Sequence, residues 1–222
     1  MVQSCFDSWR RHMPDYDVVC WDEERFDVEQ VPFVRQAYAA RKWAFASDYI
    51  RLYALYHHGG VYLDTDVLVF KSLDPFLEHS AFSGVEFHPE MFRESAKRDS
   101  VAGIGIQPAI VGAQPNHPWI KRMLDFYEDK NFVNRPDFYN SYIIGGIMAD
   151  ISAREFGYKY LPLYQILTHD VHLYPPDVFL SYPGKENMVC YATHLLASSW
   201  REPEMPTFRV RLLQSFLRRL RA

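Results

Sequence analysis

Apolar and polar positions along the chain fall into short apolar runs separated by longer stretches of helical period. The strongest run is Val61 to Phe70 (VYLDTDVLVF), β-branched and apolar except at Asp64, Thr65 and Asp66, and it predicts one strand. Ahead of it, Pro32 opens a helical region, since proline suits a first-turn position. That region runs through Arg41 and, after a break, from Ala44 to His58, where Gly59-Gly60 ends it. Nearer the start, Cys5 to Met13 reads as a helix stopped by Pro14, and Asp17 to Trp21 (DVVCW) as a strand. Further on, Phe82 to Phe87 and Ile104 to Val111 read as strands, and Trp119 to Tyr127 as a helix. Ser141 to Phe156 reads as a helix despite Gly145-Gly146. Tyr158 to Tyr191 is rich in Pro and Tyr and predicts short strands and loops, and Pro206 to Leu220 a terminal helix. Strands alternating with helices predict an α/β domain.

Composition bounds this picture without changing it. The 222 residues fit one domain, and 48% hydrophobic with 23% charged residues is ordinary globular usage. Aromatic residues reach 16%, which fills a core more often than it makes a binding platform; Trp21, Trp43 and Trp119 are read as core. A net charge of -4 gives no electrostatic case for nucleic acid. Three widely spaced cysteines, Cys5, Cys20 and Cys190, form neither a disulfide framework nor a zinc spacing, and predict a reducing compartment. No apolar run approaches the ~20 residues of a membrane span, and Met1 to Arg11 lacks the apolar stretch of a signal peptide. A cytoplasmic location is expected.

The chemistry concentrates at Asp64 and Asp66. On a strand these two point the same way, and two anions that close resist joint ionisation unless a cation lies between them. Mg²⁺ or Mn²⁺, held by carboxylates and substrate phosphates, fits that need; a pair of solvated turn aspartates is the plain alternative. On the preceding helix, Asp48 and Arg51 are three apart and share a face with Ala44, Ser47 and Leu55. Arg51 offers a planar fork for phosphate or carboxylate, and Asp48 an acceptor for sugar hydroxyls. An intrahelical ion pair is the alternative there.

Taken together, Ala44-Phe45-Ala46-Ser47-Asp48-Tyr49-Ile50-Arg51 through Tyr56, then Gly59-Gly60-Val61-Tyr62-Leu63-Asp64-Thr65-Asp66-Val67, resembles the signature block of glycosyltransferase family 32. Lys71-Ser72-Leu73-Asp74 resembles its continuation. The family includes bacterial capsular and exopolysaccharide transferases and fungal initiating α-mannosyltransferases, and is similar more distantly to the sugar-transferring domains of clostridial toxins. The resemblance implies a GT-A-type fold, a UDP- or GDP-sugar donor, a saccharide or lipid-linked saccharide acceptor, a divalent ion (usually Mn²⁺) and retention of anomeric configuration. By position, Asp64 and Asp66 would hold ribose, sugar and metal. Ser47, Asp48, Arg51, Gly60 and Tyr62 would line the donor site. His194 with Ser199-Trp200 resembles a late element that closes over the diphosphate, with His194 completing the metal shell. Family members usually begin with an apolar strand and a Trp that cradle the base. This chain starts at what resembles the helix after it, around Ser8-Trp9, so a GT-A sheet without its usual first strand is expected over residues 1–205. Gly145-Gly146 stands where relatives often carry Gly-Pro near the acceptor.

Other signals have plain readings. His169-Asp170-Val171-His172 fits no standard zinc spacing and is read as a polar loop. His57-His58 ends a helix. Within 206–222, Leu213, Phe216, Leu217 and Leu220 recur at helical spacing among five arginines, which fits either an anionic membrane surface, contacted through 208–221, or a packed terminal helix. A haloacid-dehalogenase-type phosphohydrolase would explain the Asp-x-Asp strand alone. It needs a downstream Lys and second Asp pair that the chain lacks, and it leaves Asp48 and Arg51 unexplained. A non-catalytic sugar-nucleotide-binding relic is the other alternative.

Overall fold

Two β-sheets lie against each other in the computed structural model, which describes residues 1–96, 102–133, 143–181, 184 and 186–196. The larger has five strands in the order β1 (Gly60–Leu63), β4 (Ile104–Ala113), β3 (Ala81–Phe87), β6 (Val171–Tyr174), β5 (Gln165–Leu167). Within it only β3 and β6 run parallel. The smaller is β2 (Val67–Val69), β8 (Ala192–His194), β7 (Phe179–Leu180), with β2 antiparallel and β7 parallel to β8. The fold is therefore α/β with mixed sheets flanked by helices, as the pattern predicts.

The two faces of β3 and β4, whose pairing shifts register between Ser83 and Val85, divide the interior. Ala81, Val85, Ile104, Ile106 and Val111 face one core, packed by α2 (Pro32–Ala39), α3 (Trp43–His58), α5 (Pro118–Asp125) and α6 (Ile144–Glu155). Phe82, Ala109 and Ile110 face a second core. It is closed by the smaller sheet and by α1 (Val2–His12), which contributes Cys5 and Trp9. Gly112 on β4 is required by this packing, since a Cβ there would lie 2.0 Å from Phe82 Cε1. α4 (Pro89–Ala96) follows β3.

Two expectations are corrected. Asp17 to Trp21 forms no strand. Val18 and Val19 are 63% and 48% exposed, and among the described residues they pair with no strand. Val61 to Phe70 is not one strand either. The Asp64 amide makes a last bond to Ala109 O, at 2.9 Å, and the Val67 amide folds back on Asp64 O, also at 2.9 Å. The chain thus turns through Asp64, Thr65 and Asp66 and passes from one sheet to the other. A polar Asp-Thr-Asp suits a turn better than a ladder, because its side chains offer the backbone competing hydrogen bonds. The helix expected from Pro32 breaks before α3, where Arg41 takes a left-handed φ of 58°. The expected 206–222 helix, with its membrane-contact segment 208–221, lies outside the described residues, as do Ser199 and Trp200. Among the described residues no helix is long and apolar enough to cross a membrane.

Candidate functional site

The turn between the sheets is built from three sides. α3 approaches β1 through Gly59, whose φ of 68° and N–H to Leu55 O (2.9 Å) end the helix. Any side chain there would meet Pro115 Cδ at 2.7 Å, so only glycine lets α3 and β1 close this tightly. On the opposite side α1 fixes β2. Trp9 Nε1 donates to Val67 O at 2.8 Å, and Ser8 Oγ accepts from the Val69 amide at 3.0 Å. β8 then brings His194 alongside Val67.

These supports bring Asp64, Asp66 and His194 together, with one ligating atom of each within 4.8 Å of the others. His194 Nε2 is 3.2 Å from Asp66 Oδ1 and 3.8 Å from Asp64 Oδ2. The turn, not strand alternation, makes the two aspartates share this space. The oxygens of Asp64 divide the work. Oδ1 accepts from Tyr62 Oη at 2.5 Å and lies 3.3 Å from Arg51 Nη1, which leaves Oδ2 facing His194.

Behind Asp64 sits a buried ion pair. Arg51 is 4% exposed and Asp48 7%. Arg51 Nη2 donates to Asp48 Oδ1 at 2.7 Å and to Ser47 Oγ at 3.3 Å, Nη1 donates to Pro108 O at 2.9 Å, and Nε donates to Ser47 O at 3.3 Å. The guanidinium also lies 4.6 Å over the Tyr62 ring. Every edge of its fork is therefore spent on protein oxygens. The structure brings Asp48 and Arg51 to the site as the sequence predicts, but in the place of a strut rather than an open ligand. Burial pushes the Asp48 carboxyl up to about 7 against the attraction of Arg51, and the Asp64 charge adds to the rise. Burial alone would lower Arg51, but Asp64, Tyr62 and Asp48 outweigh it and hold the guanidinium charged. Burial also raises the Tyr62 phenol well above its usual range, so it stays a donor to Asp64.

A divalent ion fits these residues. Two carboxylates and an imidazole converge on one point, Asp66 is 8% exposed, and His194 Nδ1 is buried with no hydrogen-bond partner. The ring is thus held by packing with Nε2 turned to the carboxylates. Mixed oxygen and nitrogen ligation suits Mn²⁺ better than Mg²⁺, which prefers oxygen alone. Gly60 stands at the start of β1, and its left-handed φ of 99° leaves space where a Cβ would be. Sequence reading missed the Pro108 carbonyl and the Ser8–Trp9 brace. A backbone acceptor on another strand leaves no residue-type signal, whereas Trp9 inside an amphipathic first helix was visible but without a partner.

With this geometry in hand, the similarities to known proteins are specific. Residues 1–83 match the family described as "Glycosyltransferase sugar-binding region containing DXD motif". Glucan organizing enzyme 1 of Cryptococcus neoformans is 33% identical over 99 residues, covering 45% of this chain and 26% of that protein. Mannosyl phosphorylinositol ceramide synthase SUR1 of Saccharomyces cerevisiae is 29% identical over 115 residues, covering 50% and 26%. Inositol phosphoceramide mannosyltransferase 3 of Schizosaccharomyces pombe is 28% identical over 115 residues, covering 50% and 28%. The match thus spans about a quarter of these relatives' length. Among solved structures, the PaToxG glycosyltransferase is similar with a TM-score of 0.46 and 16% identity, over 69% of this chain and 63% of that one.

Proposed function

We propose, for a chain whose residues 1–83 match the DXD-containing sugar-binding region of glycosyltransferases, that it transfers a hexose from a nucleotide-diphosphate donor to a saccharide or lipid-linked saccharide acceptor. Mannose leads the candidate sugars and GDP the nucleotides, because relatives' names carry mannosyl transfer; UDP-sugars follow. The observation that carries the reading is the convergence of Asp64, Asp66 and His194 in front of the buried Asp48–Arg51 pair.

Asp64, Asp66 and His194 would hold the ion. A bound Mn²⁺ or Mg²⁺ supplies Lewis-acid stabilisation of the charge that develops on the departing diphosphate. Tyr62 and Arg51 hold Asp64 Oδ1, so its other oxygen stays oriented without reorganising during reaction. Asp48 and Arg51 act through that alignment. Ser47, Gly60 and Tyr62 line the donor side in this reading. The bond from sugar C1 to the diphosphate breaks, and the acceptor hydroxyl oxygen bonds C1 on the same face. The hydroxyl proton passes to the departing phosphate oxygen, and configuration is retained. Work at the cytoplasmic side of a membrane, with 208–221 as a peripheral contact, in surface polysaccharide or glycolipid synthesis completes the proposal.

The test is thermal unfolding against GDP-mannose, UDP-glucose and UDP-galactose, with and without Mn²⁺. A donor at about 100 times its Kd adds about 2.7 kcal/mol, which for a chain of this size raises Tm by roughly 5–10 °C. The rise is expected for one nucleotide class, only with Mn²⁺, and lost in Asp66→Asn. No rise with any donor, or a rise that Asp66→Asn keeps, sinks the assignment. Binding without transfer to any acceptor supports the relic instead.

A further inference from the structure

Level with the start of β1, on the far side of the five-stranded sheet, three groups meet that the donor site does not use. His79 lies just ahead of β3, Asp170 just ahead of β6, and His172 within β6; the parallel pairing of Ala81 with Val171 and of Phe82 with His172 puts them side by side. One ligating atom of each lies within 4.8 Å of the others. His172 Nε2 is 2.7 Å from Asp170 Oδ1, and the His79 and His172 rings stack with centroids 3.5 Å apart and planes 8° from parallel.

Each member is fixed from behind. Tyr164 Oη is 2.6 Å from His172 Nδ1, and Tyr174 Oη is 2.7 Å from His79 Nε2. Asp170 Oδ2 accepts from the Ser80 amide at 2.8 Å. His169 and Asp170 both adopt left-handed backbone, φ 60° and 56°, and so make the tight β5–β6 turn from which Asp170 reaches the start of β3. Tyr164 on His172 Nδ1 and Tyr174 on His79 Nε2 are the outer-partner arrangement ligating histidines use, with His172 Nε2 exchanging its Asp170 bond for the ion.

We propose that His79, Asp170 and His172 form a second divalent-metal site, of the zinc class and separate from the donor centre. Two imidazoles and one carboxylate are a borderline-soft set, suited to Zn²⁺ ahead of Mg²⁺ or Mn²⁺. In the stacked arrangement the ring lone pairs run side by side. Coordination therefore requires the partly buried His79 ring to turn out of the stack until Nδ1 converges with His172 Nε2 and Asp170 Oδ1 while Nε2 keeps Tyr174. Asp170 lines a cleft of about 460 Å³ with Ser80, Asn116, His117 and His169, the side from which water or a ligand would approach. β4 and β3 stand between β6 and β1, three strand spacings of about 4.8 Å each, and Asp64 leaves β1 at the opposite end.

The test uses the Asp66→Asn chain, which removes a ligand from the donor centre. The metal-free protein is titrated with Co²⁺, whose visible absorption reports a low-symmetry site, and then with Zn²⁺ as competitor. One equivalent of Co²⁺ is expected to give visible absorption that Zn²⁺ displaces. Adding His79→Gln, at a partly exposed position, is expected to abolish the signal with the far-UV circular dichroism unchanged. Adding Tyr174→Phe is expected to weaken binding by about 10–100-fold. No visible absorption in the Asp66→Asn chain, or absorption that His79→Gln leaves intact, overturns the site and leaves the triad as a hydrogen-bonded strut.

Discussion

Asp48 offers the sharpest test of how the site is held. Its carboxyl is almost fully enclosed, and burial lifts its pKa from 3.8 to about 7 even with Arg51 at 2.7 Å. In the unfolded chain it titrates near 3.8, so between those values the folded state binds the extra proton. The stability this group contributes is complete below pH 3.8 and is lost as pH rises to about 7. The slope is about 1.4 kcal/mol per pH unit across that window. From pH 5 to pH 8 the loss is therefore about 3 kcal/mol, most of it before pH 7. With a urea m-value of about 3 kcal/mol/M for a chain of this size, the midpoint falls by about 1 M. Asp48→Asn keeps an acceptor for Arg51 Nη2 and carries no proton to lose. Urea unfolding of both proteins in EDTA at pH 5, 6, 7 and 8 isolates the effect, because every other titrating group is common to the pair. The parent should lose about 3 kcal/mol against Asp48→Asn over that range. A difference that stays constant within about 0.5 kcal/mol, or the parent gaining on the variant as pH rises, refutes the reasoning: the first result would mean that Arg51 overcomes burial and Asp48 is ionised throughout, as it is in the unfolded chain.

Two further outcomes follow from contacts already described. Arg51→Lys keeps the charge but loses the fork that reaches Asp48, Ser47 and Pro108 together while lying beside Asp64. Mn²⁺ affinity measured by calorimetry is expected to fall about 10–100-fold, as for loss of an outer-shell partner, and unchanged affinity would remove Arg51 from the support of Asp64. Gly112→Ala forces a Cβ to 2.0 Å from the buried Phe82 ring; overpacking of this kind costs about 1–3 kcal/mol, a Tm drop of roughly 2–12 °C at 2–4 °C per kcal/mol, and Phe82→Leu should recover part of it. A Gly112→Ala protein with parental Tm would contradict the close packing of β3 on β4.

The sequence reveals most where a signal is local. The capped, amphipathic stretch from Trp43 to Gly59 and the apolar runs of β3 and β4 carry their period within themselves, and the structure has them within a few residues. Asp48, Arg51, Asp64 and Asp66 stood out by their spacing and His194 only through the family resemblance, and the structure brings the five together. What failed needed a partner elsewhere. Asp17 to Trp21 has strand composition, but among the described residues no strand pairs with it. The run through Asp64 and Asp66 was read as one strand because β-branched residues flank the aspartates on both sides. Nothing local reveals that β1 pairs with β4 and β2 with β8. His169 to His172 was read as a polar loop for the same reason: its third group, His79, comes from another strand and is joined to it only by the β3–β6 pairing.

The Asp64–Thr65–Asp66 turn is also where the two layers of the molecule join. Asp64 closes the last ladder of the five-stranded sheet, whereas Asp66 leads into the three-stranded sheet that holds His194, and each sheet borders its own core. A cation chelated by all three residues works as a rivet through the seam of a sandwich. Parting of the layers would draw those ligands away from the ion, so ion residence time and breathing of the seam would be coupled. Slow exchange of the ion would then be a property of the architecture, set by how firmly α1 clamps β2 through Ser8 and Trp9, and not of the ligand set alone.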